Sequence, residues 1–183
     1  MLNNIPDDFK NDNMCMRVAE IRSLFDYDKE SGRILYKTRP LKDPIFFHKG
    51  WNTKYAGKEA GFKSHGYIRV SVKGKQPYAH QMAFAIVKGY IPLEIDHIDT
   101  DGTNNKWDNL RESTHSENAC NCKKRVTNKS GLKGVHWSKG SNCWRMNICY
   151  EKKNYYSLHT TKEEAYAAYC QMSKTLHKEF GRC

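Results

Sequence analysis

The pattern of apolar and polar positions divides the chain into short strands and short helices. Side-chain types alternate from Tyr67 to Val72, which predicts a strand, and Gly74 turns the chain into a second strand at Gln76 to Ala79. The apolar residues of His80 to Lys88 predict a helix against this hairpin, and the helix should end at Gly89. The middle of the chain therefore favours small sheets covered by single helices.

The N-terminal part has weaker periodicity. Residues 1 to 16 are polar and rich in turn formers, whereas Met16 to Phe25 has apolar residues at helical spacing. A strand is expected at Arg33 to Lys37. Residues 38 to 55 contain prolines, aromatic residues and lysines, which predict a long loop that either contacts nucleic acid or caps a core.

Three strands and a helix are expected in the last third of the chain. The strands are Gly134 to Ser138, Trp144 to Tyr150 and Asn154 to His159. Thr161 and Glu164 form a capping box that begins the helix. This unit should be a three-stranded antiparallel sheet packed on one helix, with Trp137 and Trp144 in its core, and the chain as a whole belongs to the α+β class.

A strand, a loop, a short strand and a helix follow one another from Glu94 to Asn121. Gly102 and its polar neighbours supply the loop, and Thr114 with Glu117 forms a capping box before the helix. This arrangement can bring a carboxylate, an imidazole and an amide to one point. The three residues are Asp96, His97 and Asn118.

These side chains suit phosphodiester cleavage. Carboxylate and amide oxygens are ligands for Mg²⁺ or Mn²⁺, so Asp96 and Asn118 are predicted to hold one ion per active site. The imidazole of His97 can act as the general base that takes a proton from water. Asn109 is predicted to fix the loop, and so aim His97, through hydrogen bonds to the backbone.

The same stretch resembles the catalytic motif of HNH endonucleases, in the version whose third position is Asn. The matching residues are Asp96, His97, Asn109 and Asn118. The segments SLFDYDKESGRILYK and HGYIRVSVKGKQPYAHQMAFAIVKG also read like the N-terminal part of these enzymes. The resemblance implies a ββα-metal (His-Me finger) fold. His80 stands where the family usually keeps histidine, and both a packing role and an active-site role stay open.

Other interpretations of this stretch remain open. The run from His97 to Asp101, with Asp108 later, imitates part of a calcium loop, but its first position is His and its last is Asp. Asp99 is expected to accept hydrogen bonds within the loop. An inactive copy of the motif, or a turn with a solvated histidine, would carry the same residues.

The charge lies mainly in the last third. The formal net charge is +11, which points toward a polyanionic partner. Residues 1 to 119 carry 18 Lys and Arg against 16 Asp and Glu, and residues 120 to 183 carry 13 against 4. Residues 120 to 133 read as a basic linker that either follows a phosphate backbone or is merely solvated. Its basic residues are Lys123, Lys124, Arg125, Lys129 and Lys133.

The C-terminal third resembles the plant ethylene-response-factor (APETALA) DNA-binding domain. The resemblance rests on GVHWSKGSNCWRMNI, NYYSLHTT and KEEAYAAYCQMSKTLHKEFG. The family lays its sheet in the major groove, which implies a set of DNA-facing residues here: Lys133, His136, Ser138, Arg145, Asn147 and Tyr155. His136 and Ser138 stand where plant members favour arginine, so base specificity does not carry over.

The two resemblances together predict a two-module enzyme. We expect an HNH domain at residues 17–122 with its ββα-metal core at 92–122, a linker at 123–133 and an APETALA-like domain at 134–181. The expected function is metal-dependent nicking of double-stranded DNA by a monomer, as in homing endonucleases of phages or mobile elements. The alternatives are a DNA-binding transcriptional regulator with an inactive HNH module, or a protein that acts on RNA.

The cysteines and the hydropathy indicate the compartment. The seven cysteines are odd in number, lack a paired C-x-x-C motif and follow no signal peptide, which predicts free thiols in a reducing compartment. The resemblance to phage enzymes implies that this compartment is the cytoplasm of a bacterial host. The longest apolar run, Met82 to Val87, is too short to span a membrane, so no membrane partner is expected.

Overall fold

The computed structural model describes residues 18–40, 48–124 and 126–183. It divides into two compact units between Ser113 and Thr114. Both units mix helices with small antiparallel sheets. The chain is therefore a mixed α and β protein. The boundary between the units precedes the helix His115–Asn121, which the predicted HNH domain at 17–122 includes.

The described residues of the first unit form three α-helices and seven short strands. In chain order they are α1 Val18–Leu24, β1 Phe25–Asp28, β2 Arg33–Tyr36, α2 His48–Tyr55, β3 Glu59–Ala60, β4 Phe62–Ser64, β5 Tyr67–Arg69, α3 Ala79–Val87, β6 Glu94–His97 and β7 Leu110–Ser113. The strands form one sheet in the order β1-β2-β3 and two hairpins, β4-β5 and β6-β7.

Helix α3 is the centre of the first unit. Met82 packs in the main core with Ile21, Phe25 and Val70 from the surrounding elements. Phe84 packs with Leu110 of β7 in a second cluster, which fixes the β6–β7 hairpin on the helix. The predicted helix at residues 80 to 88 is thus confirmed, and its apolar side chains hold the hairpin that carries the site.

Several local predictions for this unit are wrong. The predicted helix ends at Leu24 because Phe25 begins β1, and its expected start at Met16 lies outside the described residues. Helix α2 forms within the predicted loop, since Trp51 and Tyr55 pack against Tyr36 of β2. Local turn formers do not reveal such contacts. The predicted hairpin forms in part, because antiparallel bridges join Arg69 to Tyr78 and Val72 to Lys75, whereas the strand partner of β5 is β4.

The second unit begins with α4 His115–Asn121 and continues with β8 Val135–Ser138, β9 Cys143–Tyr150, β10 Lys153–His159 and α5 Lys162–His177. The three strands are antiparallel in the order β10-β9-β8. Met146 and Ile148 of the sheet share a hydrophobic cluster with Ala165 and Tyr169 of α5. The alternation predicted for β9 agrees with the burial of Met146 and Ile148.

Two details define the packing of this unit. Gly134 has φ +71°, and a Cβ there would lie 2.1 Å from the ring of Tyr169, so only glycine allows β8 to start this close to α5. Trp137 is 44% exposed, which corrects its predicted place in the core, because it lies at the edge strand. Trp144, on the central strand, is half-buried.

Candidate active site

The β6–β7 hairpin places the two central residues of the motif. Asp96 pairs with Arg111 across the hairpin, and His97 pairs with Leu110. Both motif residues are buried, with 4% of Asp96 and 6% of His97 exposed. Neighbouring residues on a strand point to opposite faces, so the carboxylate and the imidazole enter different surroundings.

The carboxylate of Asp96 forms an ion pair with the guanidinium of Arg111. Arg111 Nε and Nη2 donate to the same oxygen, Asp96 Oδ2, over 2.8 and 2.7 Å. A buried carboxylate needs such a partner to remain charged. The motif did not predict a role for Arg111. Its position follows from the hairpin, in which Arg111 lies directly opposite Asp96.

Asn109 ties together the loop between the two strands. Its Oδ1 accepts from the Asp99 N–H over 3.0 Å, and its Nδ2 donates to Asp99 Oδ1 over 3.0 Å and to the Asn104 carbonyl over 2.7 Å. These bonds fix the backbone that follows His97. The geometry is the one expected of a residue that fixes the loop.

Asp99 and Asp101 direct their carboxylates into the loop itself. Asp99 accepts from the Asp101 N–H and from the amides of Asn104 and Asn109. Burial acts to raise the pKa of Asp99, but these hydrogen bonds outweigh it and lower the pKa below its usual value. Asp101 accepts from the Thr103 N–H and hydroxyl. Asp99 is therefore a loop acceptor, as predicted.

Asn105 positions the imidazole of His97. Asn105 Nδ2 donates to the Thr103 carbonyl over 3.2 Å, which turns Oδ1 toward His97 Nε2 at 3.2 Å. Because an amide oxygen only accepts, this contact places the ring proton on Nε2. The sequence interpretation had treated Asn105 only as a turn residue.

The segment around Asn105 is itself held by the first hairpin of the unit. The Tyr27 hydroxyl donates to the Asn105 carbonyl over 2.6 Å. Burial, with the charges of Asp28 and Asp108, raises the pKa of Tyr27, so its hydroxyl stays protonated. A Cβ at Gly32, where φ is +75°, would lie 2.5 Å from the Asn105 carbonyl carbon, so the β1–β2 turn rests directly on this backbone.

His80 of α3 lies beside His97. The two ring centroids are 5.0 Å apart, and the ring of His80 stacks on Tyr78 at 5.2 Å. Burial, and secondarily the charge of His97, lowers the pKa of His80 to about 3, so the imidazole is neutral. Its Nδ1 is buried and has no hydrogen-bond partner among the described residues. These contacts place His80 against the candidate site, and both roles left open for it remain predictions.

Asn118 lies in the second unit, on α4. The predicted capping box is confirmed, since Thr114 Oγ1 accepts from the Glu117 N–H and the Glu117 carboxylate accepts from the Thr114 N–H. Asn118 follows in the first turn and is half-buried. Its convergence with Asp96 stays a prediction. Within the described residues, no three His, Cys, Asp or Glu side chains form a group suited to a metal ion.

The register of the second sheet sorts the predicted DNA contacts by face. His136 pairs with Arg145, and Asn147 pairs with Tyr156. Side chains directly opposite one another share a face, so these four lie together, and Ser138 shares their face as the next residue but one from His136. Tyr155 pairs with the buried Ile148 and therefore lies on the other face.

Tyr156 takes the place that the sequence interpretation gave to Tyr155. It is 60% exposed, and the guanidinium of Arg145 lies 4.0 Å from its ring centroid. Successive side chains of a strand point to opposite faces of the sheet. An alignment to a family that is shifted by one residue therefore assigns Tyr155 to the face on which Tyr156 lies.

The basic segment has more structure than a solvated linker. Lys124 Nζ donates to the Gly131 carbonyl over 2.8 Å, and Lys133 Nζ donates to the Cys120 carbonyl over 2.6 Å. Lys123 and Lys129 are exposed, whereas Arg125 lies outside the described residues.

Comparison with known proteins identifies the motif-bearing stretch. A family described as HNH endonuclease matches residues 77–120. Protein 3.8 of Escherichia phage T7 is 36% identical over 110 residues, which cover 59% of this chain and 91% of that protein. No solved structure matches. None of the helices that the structure describes is both long and apolar enough to cross a bilayer.

Proposed function

Since the chain belongs to the same family as Protein 3.8 of Escherichia phage T7 and carries an HNH endonuclease domain, we propose that it is a metal-dependent DNA endonuclease. The observation that carries this proposal is the fixed imidazole of His97. It is buried, oriented by Asn105 and adjacent in sequence to a charged carboxylate, within the segment that matches the HNH family.

The proposed reaction is hydrolysis of a phosphodiester. The imidazole of His97 takes a proton from water as the water oxygen attacks phosphorus, the bond from phosphorus to the leaving oxygen breaks, and the leaving oxygen takes up a proton from solvent. Asn105 holds the His97 ring by its Nε2–H, and Asn109 holds the loop that follows. These residues keep the base in one orientation during the reaction.

Asp96 and Asn118 would hold the divalent ion, Mg²⁺ or Mn²⁺. Asp96 fits in chemistry, because a carboxylate supplies oxygen ligands, although the guanidinium of Arg111 already binds its Oδ2. When bound, the ion stabilises the charge that develops on the phosphoryl and leaving oxygens. Arg111 adds a second positive charge beside the same carboxylate.

The C-terminal sheet is proposed to bind and position the DNA, as its resemblance to APETALA-type domains implies. His136, Ser138, Arg145 and Asn147 share one face, and Tyr156 joins them. The same proposal includes the domain limits expected from the sequence and the nicking of DNA by a monomer. It also includes a homing role for a phage or mobile element inside a bacterial host. A homologue in phage T7 supports the phage setting.

A plasmid nicking assay tests the cleavage. The full chain with Mg²⁺ should convert supercoiled to open-circular plasmid, and EDTA should abolish the conversion. His97→Ala should lower the rate by roughly 10²–10⁴-fold, the range for a lost general base, while duplex binding is kept. Undiminished cutting in EDTA would contradict the metal assignment, and near wild-type cutting by His97→Ala would move the base elsewhere.

The second candidate is a DNA-binding regulator with an inactive HNH module. One observation favours it. Arg111 binds an oxygen of the Asp96 carboxylate, which is the group proposed to bind the metal ion. The same assay separates the two candidates, because a regulator would bind duplex DNA and leave the plasmid intact at every Mg²⁺ and Mn²⁺ concentration.

A further inference from the structure

A pocket of about 460 Å³ lies within the second unit and is surrounded by positive charge. Lys123, Lys124 and Lys133 approach it from the segment before β8, and Arg182 approaches it from the segment after α5. Tyr166 of α5 and Cys183 also line the pocket. Two stretches far apart in sequence thus place four basic residues around one concave space.

Residues 128–132, in the segment that supplies the lysines, are held by side-chain to backbone hydrogen bonds. Asn128 Oδ1 accepts from the backbone N–H groups of Ser130 and Gly131 over 3.0 and 3.1 Å. Asn128 Nδ2 donates to the Leu132 carbonyl over 2.8 Å, and the Leu132 side chain packs against the core of the unit. The pocket wall is therefore built by side-chain to backbone bonds and does not have to be ordered by a ligand.

Two of the lysines are held at the pocket by the protein itself. Lys124 Nζ donates to the Gly131 carbonyl, and Lys133 Nζ donates to the Cys120 carbonyl. An ammonium has three donors, so a bond to one carbonyl leaves donor capacity for a ligand. Burial lowers the pKa of Lys133, and the charge of Arg182 acts in the same direction.

No Asp or Glu side chain among the described residues forms a salt bridge with the cations that line the pocket. The salt bridges found among the described residues lie in the first unit and involve neither the three lysines nor Arg182. Residues 114 to 183 carry 13 Lys and Arg against 5 Asp and Glu. Cations without carboxylate partners around a concave space attract an anion.

We propose that this pocket binds a phosphate group. A guanidinium offers two parallel N–H donors to phosphate oxygens, and the lysines add point charges. The volume exceeds that of one phosphate, which leaves room for neighbouring atoms of a nucleotide. The phosphate can belong to a nucleic-acid backbone or to a free phosphate compound.

This site is separate from the sheet face proposed to bind DNA, and it does not depend on cleavage. The pocket residues come from the segments around 123–133, 166 and 182, whereas the sheet face consists of β8, β9 and β10 residues. A protein with a silent HNH module would bind phosphate here equally well.

The test is calorimetric titration of the full chain with inorganic pyrophosphate at low salt. Wild type should bind, and Arg182→Gln and Lys133→Gln should each lower the affinity at least tenfold. The control is Lys139→Gln, which removes the same charge from an exposed turn of the same unit and should retain the affinity. Thermal unfolding of each variant reports folding, and the exposed Lys123→Gln replaces Lys133→Gln if that variant does not fold.

Competition with a short duplex identifies the source of the phosphate. Displacement of pyrophosphate by the duplex, with weaker duplex binding by the pocket variants, would assign the site to a nucleic-acid backbone. Retention of pyrophosphate in the presence of bound duplex would assign it to a free phosphate compound. Absence of pyrophosphate binding by wild type, or equal binding by wild type and both pocket variants, would overturn the proposal.

Discussion

The two neighbouring imidazoles of the first unit differ in their hydrogen bonds. His97 has an acceptor for its Nε2 in Asn105, whereas the buried Nδ1 of His80 has no hydrogen-bond partner in the described part of the chain. A bond to one ring nitrogen selects the tautomer and so determines which nitrogen can act as a base. The side chain of Asn105 is therefore expected to matter for the rate as much as for the local structure.

Replacing Asn105 by Ala should slow plasmid cleavage by about 10- to 100-fold, the range seen when the partner of a functional histidine is removed. Asn105→Asp keeps an acceptor facing Nε2 and should recover most of the rate. Duplex affinity should stay within twofold in both variants. Equal losses in the Ala and Asp variants would show that Asn105 acts only through the loop conformation.

His80 should make the stability of the first unit depend on pH. Its pKa is lowered to about 3 by burial, whereas an unfolded histidine titrates near 6.5. Below pH 6.5 the unfolded chain takes up a proton that the folded chain excludes, so the stability present above that pH falls by up to about 1.4 kcal/mol per pH unit as the pH drops toward 3.

Urea unfolding at pH 7.5 and pH 5 measures this effect. The free energy of unfolding of wild type should fall by about 2 kcal/mol more than that of His80→Phe, which has no titrating group and a similar volume. Parallel losses in wild type and variant would mean that the folded protein accommodates the charged imidazole.

At the scale of elements, local sequence signals were sufficient to predict a structural feature where its hydrogen bonds join residues close in sequence. Both capping boxes, at Thr114 and at Thr161, are confirmed, because each consists of reciprocal bonds over three residues. The Asp96–His97 pair and the position of Asn109 could be predicted for a similar reason, because all three residues belong to one hairpin and its loop. These features require no knowledge of the rest of the chain.

Contacts between distant segments were not predictable. Helix α2 depends on Tyr36, which precedes it by more than ten residues, and the Tyr27 bond to Asn105 crosses the unit. The faces of β10 depend on its register with β9, so Tyr155 and Tyr156 could not be told apart from alternation alone. The sequence therefore indicated the catalytic motif better than the residues that support it.

The register of β9 and β10 yields a matched pair of variants. Tyr156→Ala removes an exposed ring that stacks with Arg145 on the predicted DNA face, and it should weaken duplex binding about tenfold, or about 1.4 kcal/mol. Tyr155→Ala, on the opposite face, should change duplex affinity less than twofold. Fluorescence anisotropy with one labelled duplex measures both, and the reverse order would show that the other face binds.

At the scale of the whole molecule, the units differ in charge. Residues 1 to 113 carry 18 Lys and Arg against 15 Asp and Glu, whereas residues 114 to 183 carry 13 against 5. The smaller unit thus has the larger net charge. Non-specific affinity for nucleic acid depends on the number of phosphates neutralised, so binding and cleavage are expected to reside in different parts of the chain.

Separate expression of the two parts tests this division. Residues 114–183 should bind duplex DNA with most of the affinity of the full chain and cut nothing, because His97 and Asp96 are absent. Each phosphate neutralised contributes about −0.9 to the slope of log affinity against log salt, so residues 1–113 should show a distinctly shallower slope. A salt series by fluorescence anisotropy, with circular dichroism as the check of folding, compares both parts with the full chain. If residues 1–113 bind with the affinity and slope of the full chain, the sheet face and the basic pocket of the second unit are not the DNA anchor, since neither is present in that fragment.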